Sequence, residues 1–327
     1  TTIATNPYLS KIPIIITSGL EEDLGDDEWT MNAWCGCIMN NYVAKQIGRY
    51  VRLLGGDIGS KEYKNELKML LNVYNTVSLM NKEFVGRFGD APGGFHSATG
   101  NQMAFLMKFG VKVDTVDLTA VEYAIKHGYY DGYLGRKKFT ENDVKETVKE
   151  MRKGRKVEAS DKWLEIGAKY YHAFKAIIDA NGYTSAAFRC WPEIQSDIMP
   201  FTACLSITWL LTKGDVSSAA CESDWPTGVV QSMGTYLTGR SAACLDFVNY
   251  TGGSDILQLG HCGVGVAGCM AKGDCIADHT VARQVGAKLG PTLVGQFEYG
   301  PKTGINLIQT KDGKFKMLVF TGENSKD

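Results

Sequence analysis

The sequence predicts an α/β protein whose sheet is parallel up to about residue 240 and antiparallel, or closed into a barrel, beyond it. Three observations carry this. Apolar strand-like runs alternate with helical stretches from Lys11 to Thr238, the pattern of strand–helix–strand units. Past residue 240 the helical period fades, and short apolar runs separated by glycines take over. Glycine is abundant, 37 of 327 residues beside only 8 prolines, which in a chain without repeats indicates tight turns and close backbone approaches. The change of class places a domain boundary at 238/239.

In order along the chain, Lys11–Thr17 reads as a buried parallel strand. An amphipathic helix over about Met31–Val51 closes at Gly55-Gly56-Asp57, and a second runs from Lys61 to Phe84. Phe84–Asp90 is a short strand ending in the loop Ala91–Phe95. A helix over 101–109 leads to the strand Val111–Val116, and charged helices follow at 118–128, 140–152 and 159–180. The lysine- and glutamate-rich 140–157 run is a solvated face. Phe188–Trp191 is a strand followed by Pro192-Glu193. A buried helix spans 201–212, Ser218–Cys221 is a strand, and a helix covers 227–238. The remaining strands are Ser241–Val248, Asp255–Gly260, Phe297–Tyr299, Gly304–Gln309 and Lys314–Phe320.

Composition narrows the function. Basic and acidic residues balance at 35 and 36, so no electrostatic argument favours nucleic acid or an anionic membrane surface. No apolar run reaches the roughly 18 residues that span a bilayer. The nine cysteines are odd in number, several lie inside apolar runs (Cys190, Cys204, Cys221, Cys244), and no secretion signal precedes them, which points to the cytoplasm. Cys35 and Cys37 are too close for an unstrained disulfide and are expected to be small buried side chains on a helix. Thr1 is an odd opening and Asp327 an abrupt end, so material is expected to be missing at both.

Three polar groups stand out because each follows or ends an apolar strand: Glu222, Asp246 and His261. Ligands of open α/β sheets sit beyond the carboxyl ends of strands, and a charge in mid-strand would be buried without a partner. Singly, Glu222 could cap a helix, Asp246 could pair with Arg240, and His261 could be a core imidazole. Together, two carboxylates and an imidazole are a hard donor set suited to Mn²⁺ or Mg²⁺. Glu193 and Asp224 are further candidate carboxylates, with orienting a ligand from behind or capping a helix as alternative roles. Trp191, Trp225 and Phe95 are candidate pocket walls or core residues. Gly263–Gly268 formally matches a dinucleotide fingerprint, but Cys269–Gly273 breaks the helix such a loop must open, so an NAD(P)-dependent oxidoreductase is the lesser alternative. Cys269, Cys275 and His279 fit no closed zinc spacing.

These residues resemble the L-fucose isomerase and L-arabinose isomerase superfamily. The resemblance rests on Arg189–Glu193, Ala220–Asp224 opening a helix, Leu245-Asp246, and Leu259–Gly263. Met31–Gly36 and Gly86–Phe95 match upstream landmarks. It implies Rossmann-like parallel-sheet domains followed by an antiparallel β-barrel-like C-terminal domain: 1–80 as part of a first Rossmann-like domain, 81–238 as a second, and 239–327 as a truncated β-rich domain. It also implies a metal-dependent aldose–ketose isomerase acting on a pentose or 6-deoxyhexose through a cis-enediol. Glu222 and Asp246 would be catalytic, and Glu222, Asp246 and His261 would hold Mn²⁺ (Mg²⁺ or Co²⁺ as substitutes). Glu193, Trp191, Trp225 and Asp224 would bind substrate. A homo-oligomer, trimer or hexamer, with sites near subunit contacts is implied; a non-catalytic sugar-binding relative is the alternative. The family's further metal-binding histidine has no counterpart after His279.

Overall fold

Runs of four or five residues bounded by glycine, proline or charge form the strands, and the longer amphipathic stretches form the helices. The structure is a computed structural model that describes residues 12–20, 32–270, 275–278 and 290–325. Two units emerge, Thr1–Val77 and Ser78–Asp327. The boundary placed at 238/239 from sequence falls inside the second.

In the first unit, β1 (Ile14–Ser18) pairs in parallel with β2 (Val51–Gly55), Ile14 opposite Val51 and Ser18 opposite Gly55. The helix α1 (Ala33–Gln46) lies between them in sequence, and α2 (Lys61–Met80) follows. Leu54, Tyr63 and Leu70 form a small core with Ile15 and Leu67. The helix expected to reach Val51 stops earlier: Gly48 takes a φ of 73° and the Arg49 amide bonds back to the Ala44 carbonyl, so Val51 opens a strand. Cys37 is buried as expected, whereas Cys35 is exposed, because two residues along a helix turn the side chain through about 200°.

The second unit is built on a four-stranded parallel sheet, order β4-β3-β8-β9. Its strands are β3 (Phe84–Phe88), β4 (Lys112–Val116), β8 (Ser185–Phe188) and β9 (Ala219–Ala220). Alternation divides the sheet's side chains between two faces. Phe88, Ala186, Phe188 and Ala219 join one core with Val121, Phe174, Ile177 and Leu205. These come from α4 (Leu118–His127), α6 (Asp161–Asn181) and α7 (Cys204–Lys213). Val85, Ala187 and Ala220 join the other with Phe105, Trp225, Val229 and Val230, from α3 (Gln102–Phe109) and α8 (Trp225–Thr238). The parallel-sheet expectation is therefore met, with helices on both faces. Gly86 lies where an added Cβ would be 2.4 Å from the Tyr183 ring.

Two details differ from the sequence reading. The strand expected at 188–191 is β8, which ends at Phe188. Ser185-Ala-Ala carry little strand propensity, but all three are fully buried between β3 and β9, so tertiary pairing overrides propensity. Between α4 and α5 (Glu141–Arg152) lies an unanticipated hairpin, β5 (Tyr129–Gly132) with β6 (Gly135–Lys138). It shows no apolar alternation and is held partly by the Arg136–Asp131 ion pair.

After α8 the strands pair antiparallel with one another, but among the described residues they close no barrel. β10 (Asp246–Tyr250) pairs with β11 (Leu257–Gly260) as one ribbon. β12 (Cys275–Asp278) lies between β7 (Lys156–Val157), with which it pairs in parallel, and β13 (Pro291–Val294). β14 (Gly300–Gln309) and β15 (Phe315–Asn324) form a long hairpin. That hairpin shares the second core: Leu307 is buried with α8, and the Phe315 ring lies 4.9 Å from Phe105. Among the described residues past 238, the β14–β15 hairpin and the β12–β13 pair thus pack onto the sheet's two cores. No helix among the described residues is long and apolar enough to cross a membrane.

Behind the sheet's amino end, Glu83 is fully buried. Its carboxyl accepts hydrogen bonds from Ser217 (3.1 Å), Ser232 (2.7 Å) and Tyr236 (2.7 Å). Replacing it with leucine removes the acceptor that the three hydroxyls share, and leaves Ser217 and Ser232 with each other and the Thr184 carbonyl. Glu83→Leu is expected to cost about 3 kcal/mol and Tyr236→Phe about 1 kcal/mol, measured by urea unfolding; equal costs would show that the network is not held by the carboxyl group.

Candidate active site

The carboxyl ends of β3, β8 and β9 open onto three loops that begin at Gly89, Arg189 and Cys221. The loop after β9 is the most constrained. Glu222 and Ser223 both have positive φ, 59° and 57°, a left-handed pair that disfavours side chains and persists only where its surroundings dictate it. Here they do. The Ser223 amide donates to the Phe188 carbonyl at 2.9 Å, and its hydroxyl donates to the Gly89 carbonyl at 2.6 Å. One residue is thereby tied to the ends of β8, the strand beside it, and of β3, one strand further in. Asp224 then caps α8, accepting from the Thr227 amide (3.0 Å) and hydroxyl (2.7 Å), and Pro226 follows in the helix's first turn.

Two arginines that were quoted as landmarks, but given no role, complete this edge. Arg87 is nine-tenths buried in β3, ion-paired with Asp90, with its Nε 3.4 Å from Ser223 Oγ. Arg189 forks onto Glu193, Nη2 to Oε1 at 2.8 Å, and donates to the Asp90 (3.1 Å) and Ala91 (3.2 Å) carbonyls. The Arg189 pairing holds the Glu193 carboxyl below its ordinary range. The signal for Arg87 was available: an arginine inside the apolar run Phe84–Phe88 requires a partner.

Asp246 and His261 arrive from the β10–β11 ribbon. Asp246 stands opposite Gly260, the residue before His261, so antiparallel pairing makes neighbours of residues far apart in sequence. Glu222 experiences both. Burial and then repulsion from Asp246 push its carboxyl up to about 7, while His261 opposes the shift. For His261, burial alone would lower the pKa, but Cys262, Asp246 and Glu222 outweigh it and bring the ring to about 8. Its Nδ1 is buried with no hydrogen-bond partner. Burial raises the Asp224 carboxyl, Thr227 counters, and Asp246 adds to the rise. Cys244, absent from the sequence-based candidates, is raised by burial and by the charges of Asp224, Asp246 and Glu222.

The other candidates are placed differently. Trp191 meets Phe95 edge-on at 5.3 Å beside the Arg189 loop. Trp225 is fully buried, 4.7 Å from Phe105, and so takes the core role rather than a place on the site's surface. Arg240 pairs with Glu298 and the Gly268 carbonyl, not with Asp246. The 263–268 glycines run into a three-residue turn, Ala267–Cys269, and open no helix that could hold a pyrophosphate. A cleft lined by Leu211, Arg240, Ser241 and Cys269, among others, contains none of the expected site residues. His279 lies outside the described residues.

The donor chemistry at this edge suits a hard divalent cation: two carboxylates repelling one another and an imidazole nitrogen without a partner. Among the described residues, however, no three His, Cys, Asp or Glu side chains stand close enough to hold a metal ion.

What fold and site define is an α/β protein with an acid–imidazole cluster beyond the carboxyl ends of a parallel sheet. The comparisons sharpen this. No protein-family model matches the chain. It is 25% identical over 321 residues to a sulfoquinovose isomerase from Alkalicoccus urumqiensis, covering 95% of this chain and 67% of that protein. The chain is thus a homologue of a sugar isomerase.

Glu222 makes the site's electrostatics testable through stability. Its folded-state pKa lies above the unfolded value, so the protonated form favours folding and that benefit is lost as pH rises from about 4.5 to about 7. In chelator, Glu222→Gln should match the parent near pH 4.5 and exceed it by about 2 kcal/mol at pH 8, after allowance for solvent screening. Urea titrations at the two pH values measure this; a constant difference would show that the carboxyl is not destabilised where it sits.

Proposed function

We propose that this chain carries the active site of an aldose–ketose isomerase, with Glu222 and Asp246 as its acid–base groups. The observation that carries the proposal is the electrostatic coupling of Glu222, Asp246 and His261 at the sheet's carboxyl edge, in a chain similar along 95% of its length to a sugar isomerase.

The reaction moves one proton between adjacent carbons and a second between their oxygens. A base takes the proton from the carbon beside the carbonyl, leaving a cis-enediol, and an acid returns it to the other carbon. A carboxyl group titrating near 7 suits both directions, since it is available in either protonation state at neutral pH. Glu222 is the group so tuned. Asp246, more exposed, faces it as the second carboxylate, and His261 donates to or accepts from a substrate oxygen. As they stand no three of these side chains are close enough to hold an ion; were Glu222, Asp246 and His261 to close on a divalent cation, Mn²⁺ with Mg²⁺ or Co²⁺ as substitutes, it would supply polarisation of the carbonyl and its neighbouring hydroxyl. Around them, Trp191 with Phe95 forms an apolar wall, and Glu193 and Asp224 orient polar neighbours.

The substrate class is an open-chain pentose or 6-deoxyhexose. The sugar named for the relative, sulfoquinovose, is included because it is a 6-deoxyhexose bearing a sulfonate. Assembly into a homo-oligomer, trimer or hexamer, belongs to the same proposal. It is supported by the apolar side chains Phe247, Val248 and Tyr250, each more than half exposed on the strand that begins with Asp246.

A panel of pentoses, 6-deoxyhexoses and sulfoquinovose, assayed with Mn²⁺ and with chelator, tests the proposal. One sugar should be isomerised in a metal-dependent way. Glu222→Gln and Asp246→Asn should each lower kcat/KM by about 100-fold or more. Turnover unchanged in both variants would refute the assignment.

A further inference from the structure

Two of the loops at the sheet's carboxyl edge are joined by one side chain to which the proposed reaction gives no part. The loop after β8 is anchored on the core. Ile194, Met199 and Phe201 are buried there, and the Gln195 amide lies 3.0 Å from the Met199 carbonyl and 3.1 Å from the Phe201 carbonyl. The loop after β3 is lightly built. Its Phe95 amide closes a turn on the Pro92 carbonyl at 3.1 Å, and a Cβ added at Gly93 or Gly94 would meet no atom within 4 Å. Arg189 reaches from the first loop to the second. Its Nε and Nη2 fork onto Glu193 in its own loop, while Nη1 donates to the Asp90 and Ala91 carbonyls in the other. Gly89 leaves room for this crossing, since a Cβ there would stand 2.9 Å from Arg189 Cβ and 3.0 Å from its Cδ. Just beyond the joined segments the half-buried rings of Phe95 and Trp191 meet at 5.3 Å and 76°.

We propose that Arg189 is the positioning residue for sugar recognition. It staples the loop after β3 to the loop after β8 and so fixes the Phe95–Trp191 pair as the surface on which the carbon face of an open-chain sugar lies. The role rests on the reading of this chain as a sugar isomerase, and it governs affinity, not turnover. A planar fork is needed because both loops are gripped at once. A lysine ammonium is a point charge that could keep either Glu193 or the two carbonyls, but not the whole set. Four of the guanidinium's five N–H donors are already spent on the chain, so Arg189 acts through the aromatic pair and not by holding the sugar itself. Two rings meeting edge to face present apolar surface suited to C–H groups, as small-ligand sites do around a few polar anchors. Turnover is spared because Glu222 is held separately: Ser223 bonds the Phe188 and Gly89 carbonyls without any help from Arg189.

The full chain in Mn²⁺ is titrated calorimetrically with fucitol and arabinitol, reduced sugars that bind without reacting, so that recognition is read apart from isomerisation. Arg189→Lys should raise the alditol Kd, and the KM of any sugar that is turned over, by about 10-fold, with kcat changed by less than about 3-fold. Hydrogen exchange should quicken over residues 90–95 and stay as in the parent over 222–227. Phe95→Ala should weaken alditol binding to a similar extent. The double variant should fall well short of the product of the two losses, because both act on one surface. Should Arg189→Lys not fold, Glu193→Gln, which loosens the fork from its other side, takes its place in the cycle. Unchanged alditol affinity in Arg189→Lys, losses that multiply in the double variant, or no alditol binding by the parent would overturn the assignment. Weakened alditol binding in a chain that isomerises no sugar would support it and refute the isomerase reading; turnover with KM unchanged would do the reverse.

Discussion

The backbone pair Glu222-Ser223 is the constraint on which the site depends. Two successive left-handed residues other than glycine are unfavourable, and three strands share the work of holding them. Ser223 donates from its amide to the end of β8 and from its hydroxyl to the residue after β3, while its own chain has just left β9. A strand of two residues, Ala219-Ala220, would be a weak platform alone. Pinned to two longer strands, it launches Glu222 over the sheet edge and sets Asp224 as the cap of α8. The hydrogen bonds that orient the candidate base are therefore the same ones that terminate the sheet.

Charge at this edge is distributed unevenly, and the unevenness has a chemical meaning. Arg87 and Arg189 are neutralised by Asp90 and Glu193, and Arg189 is held further by the Asp90 and Ala91 carbonyls. They brace the loops and leave little field to spare. At Glu222 burial and repulsion from Asp246 outweigh the opposing charge of His261, and the carboxyl rises toward neutrality. A site so arranged is prepared for a proton or a cation.

Much of this was legible in the chain. Period and punctuation located α3 to α8 to within a few residues, because each carries an apolar stripe and four of them a capping side chain, Asn101, Thr140, Ser160 and Asp224. Glu222, Asp246 and His261 could be singled out by their places at the ends of apolar runs. Less was legible where burial, not side-chain preference, makes the strand. Ser185-Ala-Ala-Phe188 looked unlike a strand until β3 and β9 enclosed it, and Val51–Gly55 looked like the tail of a helix until β1 paired with it. The C-terminal hairpins were visible as strands, but not their open arrangement, since alternation reports which side chains face a core and not which core they face.

By itself, then, the sequence determined the alternation of strand and helix, the caps, the small residues of the sheet and the identity of the acid and imidazole groups. These follow from local rules: periodicity, turn chemistry and the penalty for an unpaired charge. Tertiary structure decided that Trp225 belongs to the core, that Ser223 ties the loop after β9 to the ends of β8 and β3, and that the β14–β15 hairpin shares a core with α8. Each of those depends on contacts between residues dozens to hundreds of positions apart, and only the folded chain brings such residues within the few ångströms over which packing and hydrogen bonding act.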